Sequence, residues 1–571
     1  MIYRTEYPNP QFERKNWQCL NGEWDFEIDK AVSGFEREFY KNGEFTKKIN
    51  VPFCPESELS GIGETDFLNC VWYRKTINIT KEQLDNAVVI NFGAVDYIAT
   101  LYINGEEVGK HQGGYISFSF DITKYLNEGE NVIVLAAEDN VRCKTVPSGK
   151  QSEKYNSWGC YYTRTTGIWQ SVWLEFVPKA RIKSFKITPD VDNQCVDISA
   201  KFIGDGDFTV EITYEGKEMG SCTKKVVGGL VNMNIPLAEA HLWELGNGRL
   251  YDMKLTFGDD EVSSYFGLRS ARMEGMKFLL NGKSVFQRLV LDQGYYPDGI
   301  YTAPTEEILK RDIELSLAVG FNGARLHEKI FEPRFLYHCD KMGYMVWGEY
   351  PNWGLDHSNP DSLDSVLPEW IEELERDYNH PSIVAWCPFN ETWDYMFKPI
   401  WQPTLKTIYA VTKQIDPIRP CIDASGNFHV ITDIFDVHDY DQNPESLKEH
   451  YDTLVTEGTL YDAIRNRFPR ARQQYNGEPV FISEYGGIRW VEEDKEGWGY
   501  GRTPESPEAF IERYTGLTEA ILQNEKISGF CYTQLYDVEQ EQNGLYTYWR
   551  EPKFDPEIFR KVTSQKAAIE D

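Results

Sequence analysis

Two short segments of this sequence each place a single glutamate at the end of an apolar run. Ala385–Trp393 carries Glu391 among aromatic residues, and Phe481–Gly487 carries Glu484. A carboxylate at the end of a buried strand is costly to desolvate unless it has a partner or a chemical task. A pair of carboxylates is what the cleavage of a glycosidic bond requires. The sequence therefore predicts a glycosidase-type pair, provided that the fold brings both glutamates together.

The C-terminal part of the chain contains the elements that must position this pair. Over residues 271–571, strand-like apolar runs alternate with amphipathic helices, as in parallel βα units. The predicted strands are Val285–Leu291, Phe321–Leu326, Tyr344–Glu349, Ser382–Asn390, Pro420–Ala424, Ile434–Tyr440, Pro479–Tyr485 and Ile527–Leu535. The predicted helices include Glu306–Val319, Pro333–Met342, Pro368–Tyr378 and Pro507–Gln523. Eight strands indicate a (β/α)8 TIM barrel, whose active sites lie at the carboxyl ends of the strands. Glu391 follows the fourth strand and Glu484 lies near the end of the seventh, so both are expected at one pocket.

The preceding residues predict two β domains. Residues 1–178 contain short β-type runs separated by turns, which indicates a β-sandwich. These runs are Gly22–Ile28, Val71–Ile77, Ala87–Phe92, Tyr97–Ile103, Asn131–Leu135 and Gln170–Glu175. The pair Asn104-Gly105 predicts a two-residue hairpin turn, because both residues tolerate positive φ. Residues 179–270 alternate with period two over Val196–Phe202, Phe208–Tyr214 and Tyr251–Phe257, which predicts an immunoglobulin-like sandwich. A loop of the first domain around residues 146–152 is expected to reach the pocket.

Composition limits the classes of partner. The chain has 571 residues and a net charge of −31, which disfavours nucleic acids and anionic membrane surfaces. No apolar run reaches the roughly 18 residues of a membrane-spanning helix, and the N-terminus lacks the apolar region of a secretion signal. The 11 cysteines are an odd number and show no zinc-binding spacing. We therefore expect a cytoplasmic protein without a cofactor.

Ordered motifs along nearly the whole chain carry a family resemblance. They are Leu20–Trp24, Val71–Arg74, Tyr102–Gly105, Gly113–Tyr115, Thr166–Trp169, Phe266–Arg269, Gly320–Arg325, His380–Ile383, Asn390-Glu391 and Ser483–Gly486. With these motifs the chain resembles glycoside hydrolase family 2, the family of β-galactosidases, β-glucuronidases and β-mannosidases. The resemblance implies an N-terminal jelly-roll domain of the galactose-binding-like type, an immunoglobulin-like domain and a catalytic TIM barrel.

The resemblance also implies roles for individual residues. Glu391 would be the general acid/base, and Glu484 would be the nucleophile that forms a covalent glycosyl-enzyme. Asn390 would hydrogen-bond the 2-hydroxyl of the sugar, with a capping role as the alternative. Tyr440 would hydrogen-bond the nucleophile, with core packing as the alternative, and Arg325 would steady the charge of Glu484. A retaining enzyme of this kind needs its two carboxyl groups about 5–5.5 Å apart, a range at which both cannot be ionised cheaply.

Several departures from the family pattern bear on the sugar. Family glucuronidases carry an Asn-x-Lys motif near the last strand, whereas Glu541–Thr547 contains no lysine. Arg489 offers another contact for an acidic sugar. The residues after the first and second strands also differ from those of many family galactosidases, so we expect sugar contacts, with local structural roles as the alternative, from Asp292, His327 and Glu328. The aromatic side chains that are candidate sugar platforms, with core packing as the alternative, are Trp353, Trp393 and Trp490.

The sequence thus predicts an exo-acting, retaining β-glycosidase that removes a terminal sugar from an oligosaccharide or glycoconjugate. β-Galactosidase-type specificity is the main prediction. The alternatives are a glucuronidase, a mannosidase, a furanosidase acting on galactofuranose or arabinofuranose, and a non-catalytic carbohydrate-binding protein. The family's metal-binding pattern after the third strand is missing in Gly348–Trp353, so no metal is expected. A carbohydrate is the expected partner, and a homodimer is possible.

Overall fold

The computed structural model describes residues 2–392, 402–426, 428–463, 472–491 and 497–570. Within these ranges, no helix combines the length and the apolar character that a membrane crossing requires. All 11 cysteines are free thiols. The described chain forms two β-sandwiches followed by a barrel, so the predicted fold class is confirmed.

The first sandwich contains strands β1 to β12. In chain order they are Trp17–Cys19, Gly22–Ile28, Lys47–Val51, Cys70–Ile79, Ala87–Phe92, Val95–Asp96, Ile98–Ile103, Glu106–Gln112, Phe118–Asp121, Gly129–Glu138, Gly167–Ile168 and Val172–Val177. They form a six-stranded sheet (β3-β2-β4-β10-β7-β8), a four-stranded sheet (β1-β12-β5-β9) and the pair β11-β6. Two short helices, α1 and α2, are Phe39–Asn42 and Lys81–Leu84. Asn104 and Gly105 have φ values of 52° and 83° and connect β7 to β8, which confirms the predicted hairpin.

The second sandwich contains strands β13 to β19. They are Arg181–Asp190, Cys195–Ile203, Gly206–Tyr214, Lys217–Val226, Leu230–Pro236, Tyr251–Phe257 and Asp260–Phe266. The sheet β13-β14-β17 packs on the sheet β16-β15-β18-β19, and the alternating buried side chains of both sheets form one core. A small hairpin sheet leads into the barrel, with β20 to β22 at Ala271–Glu274, Lys277–Leu280 and Lys283–Ser284.

The barrel strands β23 to β29 are parallel to one another. They are Gln287–Asp292, Gly323–Leu326, Met345–Glu349, Ile383–Cys387, Phe435–Asp439, Val480–Gly486 and Ile527–Thr533. Their order in the sheet is β26-β25-β24-β23-β29-β28-β27. Helices α3 to α9 are Glu306–Ala318, Pro333–Met342, Leu363–Asp377, Gln402–Ile415, Pro444–Thr456, Pro507–Leu522 and Pro556–Thr563. The predicted alternation of strands and helices is thus present.

The fifth predicted strand, Pro420–Ala424, is not a strand in the described structure. Cys421 and Ser425 form only single parallel bridges, to Trp386 and Asn390. On the side that faces β27, carboxylates take the backbone donors instead: the Cys421 amide donates to Asp433 Oδ2 at 2.9 Å. Because side chains replace the ladder there, this segment closes the barrel without regular strand pairing.

One predicted helix begins earlier than expected. The helix predicted to start at Pro368 begins at Leu363, so Pro368 lies inside α5. A short 3₁₀ turn, Pro360–Ser362, leads into it, and the side chain of Asn359 accepts a hydrogen bond from the Asp361 amide at the start of that turn. The capped turn therefore sets the start of this helical segment in place of the proline.

The first sandwich and the barrel share one continuous hydrophobic core. Tyr115, Tyr162 and Trp169 of the sandwich are buried in the same cluster as barrel residues such as Tyr295 and Tyr301. The Trp169 and Tyr301 rings lie 5.1 Å apart, and Thr302 Oγ1 donates to the Trp169 carbonyl at 2.5 Å. The N-terminal domain is therefore fixed against the barrel, close to the face that carries Glu391 and Glu484.

Candidate active site

The two glutamates singled out from the sequence face each other at the carboxyl end of the barrel. Glu391 lies four residues beyond the end of β26, and Glu484 lies two residues before the end of β28. One carboxylate oxygen of Glu391 lies within 4.8 Å of one of Glu484. This spacing agrees with the roughly 5–5.5 Å of retaining glycosidases and is shorter than the roughly 6.5–9.5 Å of inverting ones. The pair is therefore placed for direct attack on a sugar carbon by one of the two carboxylates.

Glu484 is held as a buried anion. Arg325 Nη1 donates to Glu484 Oε1 at 3.1 Å, and the Tyr440 hydroxyl donates to Glu484 Oε2. Burial by itself would raise the pKa of Glu484, but the charges of His438, Arg325 and His327 and the Tyr440 hydrogen bond outweigh it and lower the pKa to about 2. Glu484 is therefore ionised at neutral pH, as a nucleophile must be.

Arg325 connects Glu484 to the rest of the site. Its side chain, on β24, is fully buried. Besides Glu484, it donates from Nη2 to Glu349 Oε2 at 2.8 Å and to Asn390 Oδ1 at 3.1 Å. Glu349, at the end of β25, also lies 2.7 Å from His327 Nδ1. One guanidinium thus neutralises two buried carboxylates and orients the amide of Asn390.

Glu391 contacts a histidine that sequence reasoning missed. His438 Nδ1 lies 2.7 Å from Glu391 Oε1 and 3.5 Å from Glu484 Oε2, while its Nε2 lies 2.9 Å from Ser425 Oγ. Burial would lower the pKa of His438, but Glu484 and Glu391 together raise it. The Glu391 side chain is 22% exposed against 5% for Glu484. Glu391 is therefore the carboxylate suited to exchanging protons, because it is more accessible and is paired with the His438 ring.

The backbone of Glu391 is itself unusual. Its φ is 50°, a left-handed conformation that non-glycine residues rarely adopt. Its amide donates to the Ser425 carbonyl at 2.9 Å, which helps to hold this conformation. Such conformations cluster at functional sites, where the surrounding structure determines them.

Asn390 presents an unused donor. Its backbone and its side-chain oxygen are fixed by Asn352 and Arg325, and it is 1% exposed. Among the described residues, no acceptor partners its buried side-chain nitrogen. A buried amide donor without an acceptor costs free energy unless a ligand supplies one. The predicted contact with a sugar hydroxyl fits this donor, although the hydroxyl itself stays a prediction.

Asp292, His327 and Glu328 lie at the same barrel face but are engaged by the protein. Asp292 Oδ1 accepts hydrogen bonds from the Tyr536 hydroxyl at 2.5 Å and from the Gly294 amide at 2.9 Å. Burial, then the neighbouring Asp312, raise the pKa of Asp292 to about 6. Glu328 Oε2 accepts from the Trp353 amide at 3.0 Å, and burial and Glu349 raise its pKa well above the usual range. These contacts give the residues structural roles, and their contact with sugar stays a prediction.

The remaining residues predicted to contact the sugar differ in their position relative to the pocket. Trp353 lies at the pocket, where its indole nitrogen donates to the Asn390 carbonyl at 3.3 Å. Arg489 packs beside Gly499, just beyond β28. Trp490 packs against Phe554, with 5.3 Å between ring centroids, in keeping with the core-packing alternative. Trp393 lies outside the described residues.

The first domain contributes a loop to the pocket, as the sequence suggested. The Ser148 amide donates to the Trp353 carbonyl at 2.8 Å, and the Gly149 amide to the same carbonyl at 3.2 Å. The Tyr162 hydroxyl donates to Glu541 Oε2 at 2.5 Å, across to the loop after β29. Residues of two domains therefore line this face.

The geometry of three donor atoms at the site is compatible with a metal ion. One donor atom from each of Glu391, His438 and Glu484 lies within 4.8 Å of the others, and both oxygen and imidazole donors suit common divalent cations. The expectation of a metal-free site therefore stays a prediction.

Family models match the chain in three consecutive segments. The sugar binding domain of glycosyl hydrolases family 2 matches residues 33–178, the model described as glycosyl hydrolases family 2 matches 180–269, and the TIM barrel domain of the same family matches 272–491. The three matches follow the order of the two sandwiches and the barrel.

Curated proteins with similar sequences are mainly β-glucuronidases. The β-glucuronidase of Rattus norvegicus is 24% identical and aligns with 98% of this chain and 92% of its own length. A β-galactosidase of Thermoanaerobacter pseudethanolicus is 27% identical over 70% of this chain and 55% of its own length. A putative β-glucuronidase of Formosa agariphila is 28% identical over 68% of this chain, and the match spans 48% of that longer protein.

Solved structures of similar fold include the β-glucuronidase from Ruminococcus gnavus in complex with D-glucuronic acid. The TM-score is 0.80 over 99% of this chain and 100% of that one, at 20% sequence identity. At this identity the likeness establishes the fold, and the chemistry must come from the site.

Proposed function

Because the chain belongs to glycoside hydrolase family 2, we propose that it is an exo-acting, retaining β-glycosidase of the β-glucuronidase type, with Glu484 as nucleophile and Glu391 as acid/base. One observation carries the mechanism: the two carboxylates lie within 4.8 Å of each other, and one of them, Glu484, is kept ionised by His438, Arg325 and Tyr440. The chain is a glycoside hydrolase by family, so a binding protein without activity is disfavoured.

The proposed reaction has two displacements at the same sugar carbon. Glu484 attacks C1 and forms an ester while Glu391 gives its proton to the departing glycosidic oxygen. Arg325 and Tyr440 no longer face a full negative charge once that ester exists. Glu391, now ionised, takes a proton from water, which attacks C1 and releases Glu484. Two inversions leave the β configuration unchanged.

The relatives bear on which sugar is cleaved. Most of those reported above are β-glucuronidases and one is a β-galactosidase, which favours glucuronidase over the galactosidase-type specificity expected from the sequence. The sequence lacks the lysine of the Asn-x-Lys motif, which argues against glucuronidase activity. Glucuronidase activity would therefore require another cation to bind the sugar carboxylate. β-Galactosidase activity is the second candidate, supported by the similarity to the β-galactosidase of Thermoanaerobacter pseudethanolicus.

Hydrolysis of a panel of p-nitrophenyl glycosides tests this proposal. The panel holds the β-glucuronide, β-galacturonide, β-galactoside, β-glucoside, β-mannoside, β-galactofuranoside and α-L-arabinofuranoside. We expect the β-glucuronide to have the highest kcat/KM, and the sugar first released, followed by proton NMR, to be the β anomer. A neutral sugar as the best substrate would overturn the specificity, and initial release of the α anomer would overturn the retaining mechanism.

The unpaired donor of Asn390 gives a prediction that does not depend on the sugar's sixth carbon. Asn390→Ala is expected to lower kcat/KM about 10- to 100-fold, since a hydrogen bond to the 2-hydroxyl strengthens in the transition state. A 2-deoxy glycoside lacks the acceptor, so wild type and variant should cleave it at similar rates. The measurement is the ratio of kcat/KM for the normal and 2-deoxy substrates in both proteins. An equal loss on both substrates would assign Asn390 a purely structural role.

A further inference from the structure

The loop that carries Lys150 is seated tightly on the barrel. Gly149 has a φ of 52°, and a Cβ at this position would lie 2.5 Å from the Glu328 carbonyl oxygen. On the other side of Lys150, the side chain of Gln151 donates to Asp96 Oδ2 at 2.8 Å and accepts from the Thr165 amide at 2.8 Å. The Tyr162 amide donates to the Lys150 carbonyl at 2.7 Å. The backbone of Lys150 is thus fixed from both sides, which sets the starting point of its side chain.

The side chain of Lys150 is largely buried, and its ammonium has no hydrogen-bond acceptor among the described residues. Lys150 is 5% exposed, and its Nζ lies 3.6 Å from the centroid of the Trp353 ring. None of the hydrogen bonds or ion pairs among the described residues includes this Nζ. Lys329, also buried at the same barrel face, is different: its Nζ donates to the carbonyls of Gly294 and Tyr301, at 2.5 and 2.8 Å. One buried lysine is satisfied by the protein, and the other keeps three donors for something else.

The ammonium of Lys150 lies next to Trp353, a residue of the candidate active site. The Trp353 indole that carries it donates to the carbonyl of Asn390, the residue before Glu391. Lys150 also interacts electrostatically with Glu541, Glu328 and Glu484, although none of them is close enough for an ion pair. Burial would lower the pKa of Lys150, but these neighbours and Cys160 raise it, so the side chain stays charged. Glu541 Oε2 and Oε1 are already occupied by Tyr162 and Asn543.

We propose that Lys150 binds the carboxylate of a terminal uronic acid, so that the N-terminal domain supplies the residue that selects acidic over neutral sugars. This inference rests on the proposed glucuronidase-type function. Lys150 interacts electrostatically with Glu541, which lies in the stretch where family glucuronidases carry their Asn-x-Lys lysine and this chain has no lysine. An anionic ligand would balance the charge and accept the hydrogen bonds of an ammonium that the described residues leave without an acceptor.

Paired substrates that differ only at the sixth carbon test the proposal. We would measure kcat/KM for p-nitrophenyl β-glucuronide against β-glucoside, and for β-galacturonide against β-galactoside. Lys150→Met is expected to lower the acid-to-neutral ratio about 10- to 100-fold, the range of a hydrogen bond to a charged group. The loss should fall mainly on KM, because the carboxylate contact is made equally in ground and transition states. The control is Lys154→Met, which removes the same charge from the same loop, where Lys154 is exposed and lies 3.3 Å from the Trp158 ring.

The outcomes separate this inference from the proposed function. An acid preference in wild type that Lys150→Met abolishes and Lys154→Met keeps supports both. An acid preference that survives in Lys150→Met overturns the role of Lys150 and leaves the glucuronidase-type function standing. A wild type that prefers neutral sugars overturns the function and the inference with it. If Lys150→Met does not fold, Lys150→Gln and the inhibition constants of D-glucuronate and D-glucose provide the same comparison.

Discussion

Glu484→Ala is expected to lower kcat on aryl β-glycosides about 10⁴- to 10⁶-fold, the range seen when a catalytic nucleophile is removed. Its carboxylate is the protein group proposed to bond to C1, and His438, Arg325 and Tyr440 keep it ionised. Azide, a small anionic nucleophile, fits the space that the truncated side chain leaves. It should restore turnover and give the α-glycosyl azide, because it attacks the β substrate once, from the face of the missing carboxylate.

Glu391→Ala should lower the rate by an amount that depends on the leaving group. A 2,4-dinitrophenolate leaves without a proton, so the first step survives with this substrate, whereas a poor leaving group loses the roughly 10²- to 10⁴-fold of general acid catalysis. Azide then attacks the covalent intermediate and yields the β-glycosyl azide. Glu525→Ala, which removes an exposed carboxylate elsewhere on the barrel, should behave as wild type. If the two azide products were exchanged between the variants, the roles of Glu391 and Glu484 would have to be exchanged as well.

The carboxylate pair was predictable because both of its determinants are local. An apolar run that ends in a glutamate marks a strand end, and parallel strands in a barrel bring all carboxyl ends to one face. Glu391 and Glu484 could therefore be paired without knowing any loop. The roles of Arg325 and Tyr440 came from the family resemblance instead, and both residues lie at or just beyond the end of a barrel strand.

His438 could not be found in this way, because it depends on a strand irregularity. The pairing of β27 with β28 shifts register between Val437 and His438, which places His438 opposite Glu484. A shift of one residue turns a side chain to the other face of a sheet, and no pattern in the apolar run signals it. The single histidine in that run was the available signal.

The role proposed for Lys150 also could not be predicted from the sequence. The sequence indicated that its loop reaches the pocket, but which side chain enters depends on the close contact of Gly149 with the Glu328 carbonyl. That contact joins two domains and is set by tertiary packing. The strand predicted at Pro420–Ala424 was wrong for a related reason, because the carboxylate of Asp433 takes the Cys421 amide that a neighbouring strand would otherwise bind.

Arg325→Met should impair both stability and catalysis. The substitution keeps an unbranched side chain but leaves Glu349 and Glu484 buried without their shared cation. Removing one partner of a buried ion pair costs about 3–5 kcal/mol, so we expect a clear fall in the thermal midpoint of the barrel. We also expect kcat to fall, because Asn390 loses the donor that orients its amide and Glu484 loses the charge that keeps it ionised.

The pH dependence distinguishes the catalytic loss from simple destabilisation. In wild type the pKa of Glu484 is about 2, below its unfolded value, so its contribution to stability is present above about pH 4.5 and is lost as the pH falls towards 2. Without Arg325 the pKa rises. The acidic limb of the kcat/KM profile should then move to higher pH, and acid unfolding should begin at higher pH.

Arg288→Met is the matched control for this shift. Arg288 is a buried arginine of β23 that pairs with Glu570 at 2.7 Å and donates to the carbonyls of Thr563 and Gln565, with no contact to Glu484. Its loss should lower the thermal midpoint and leave the acidic limb in place. If both variants shifted the limb equally, the shift would reflect global instability. If neither did, the low pKa of Glu484 would have to come from His438 and Tyr440 instead.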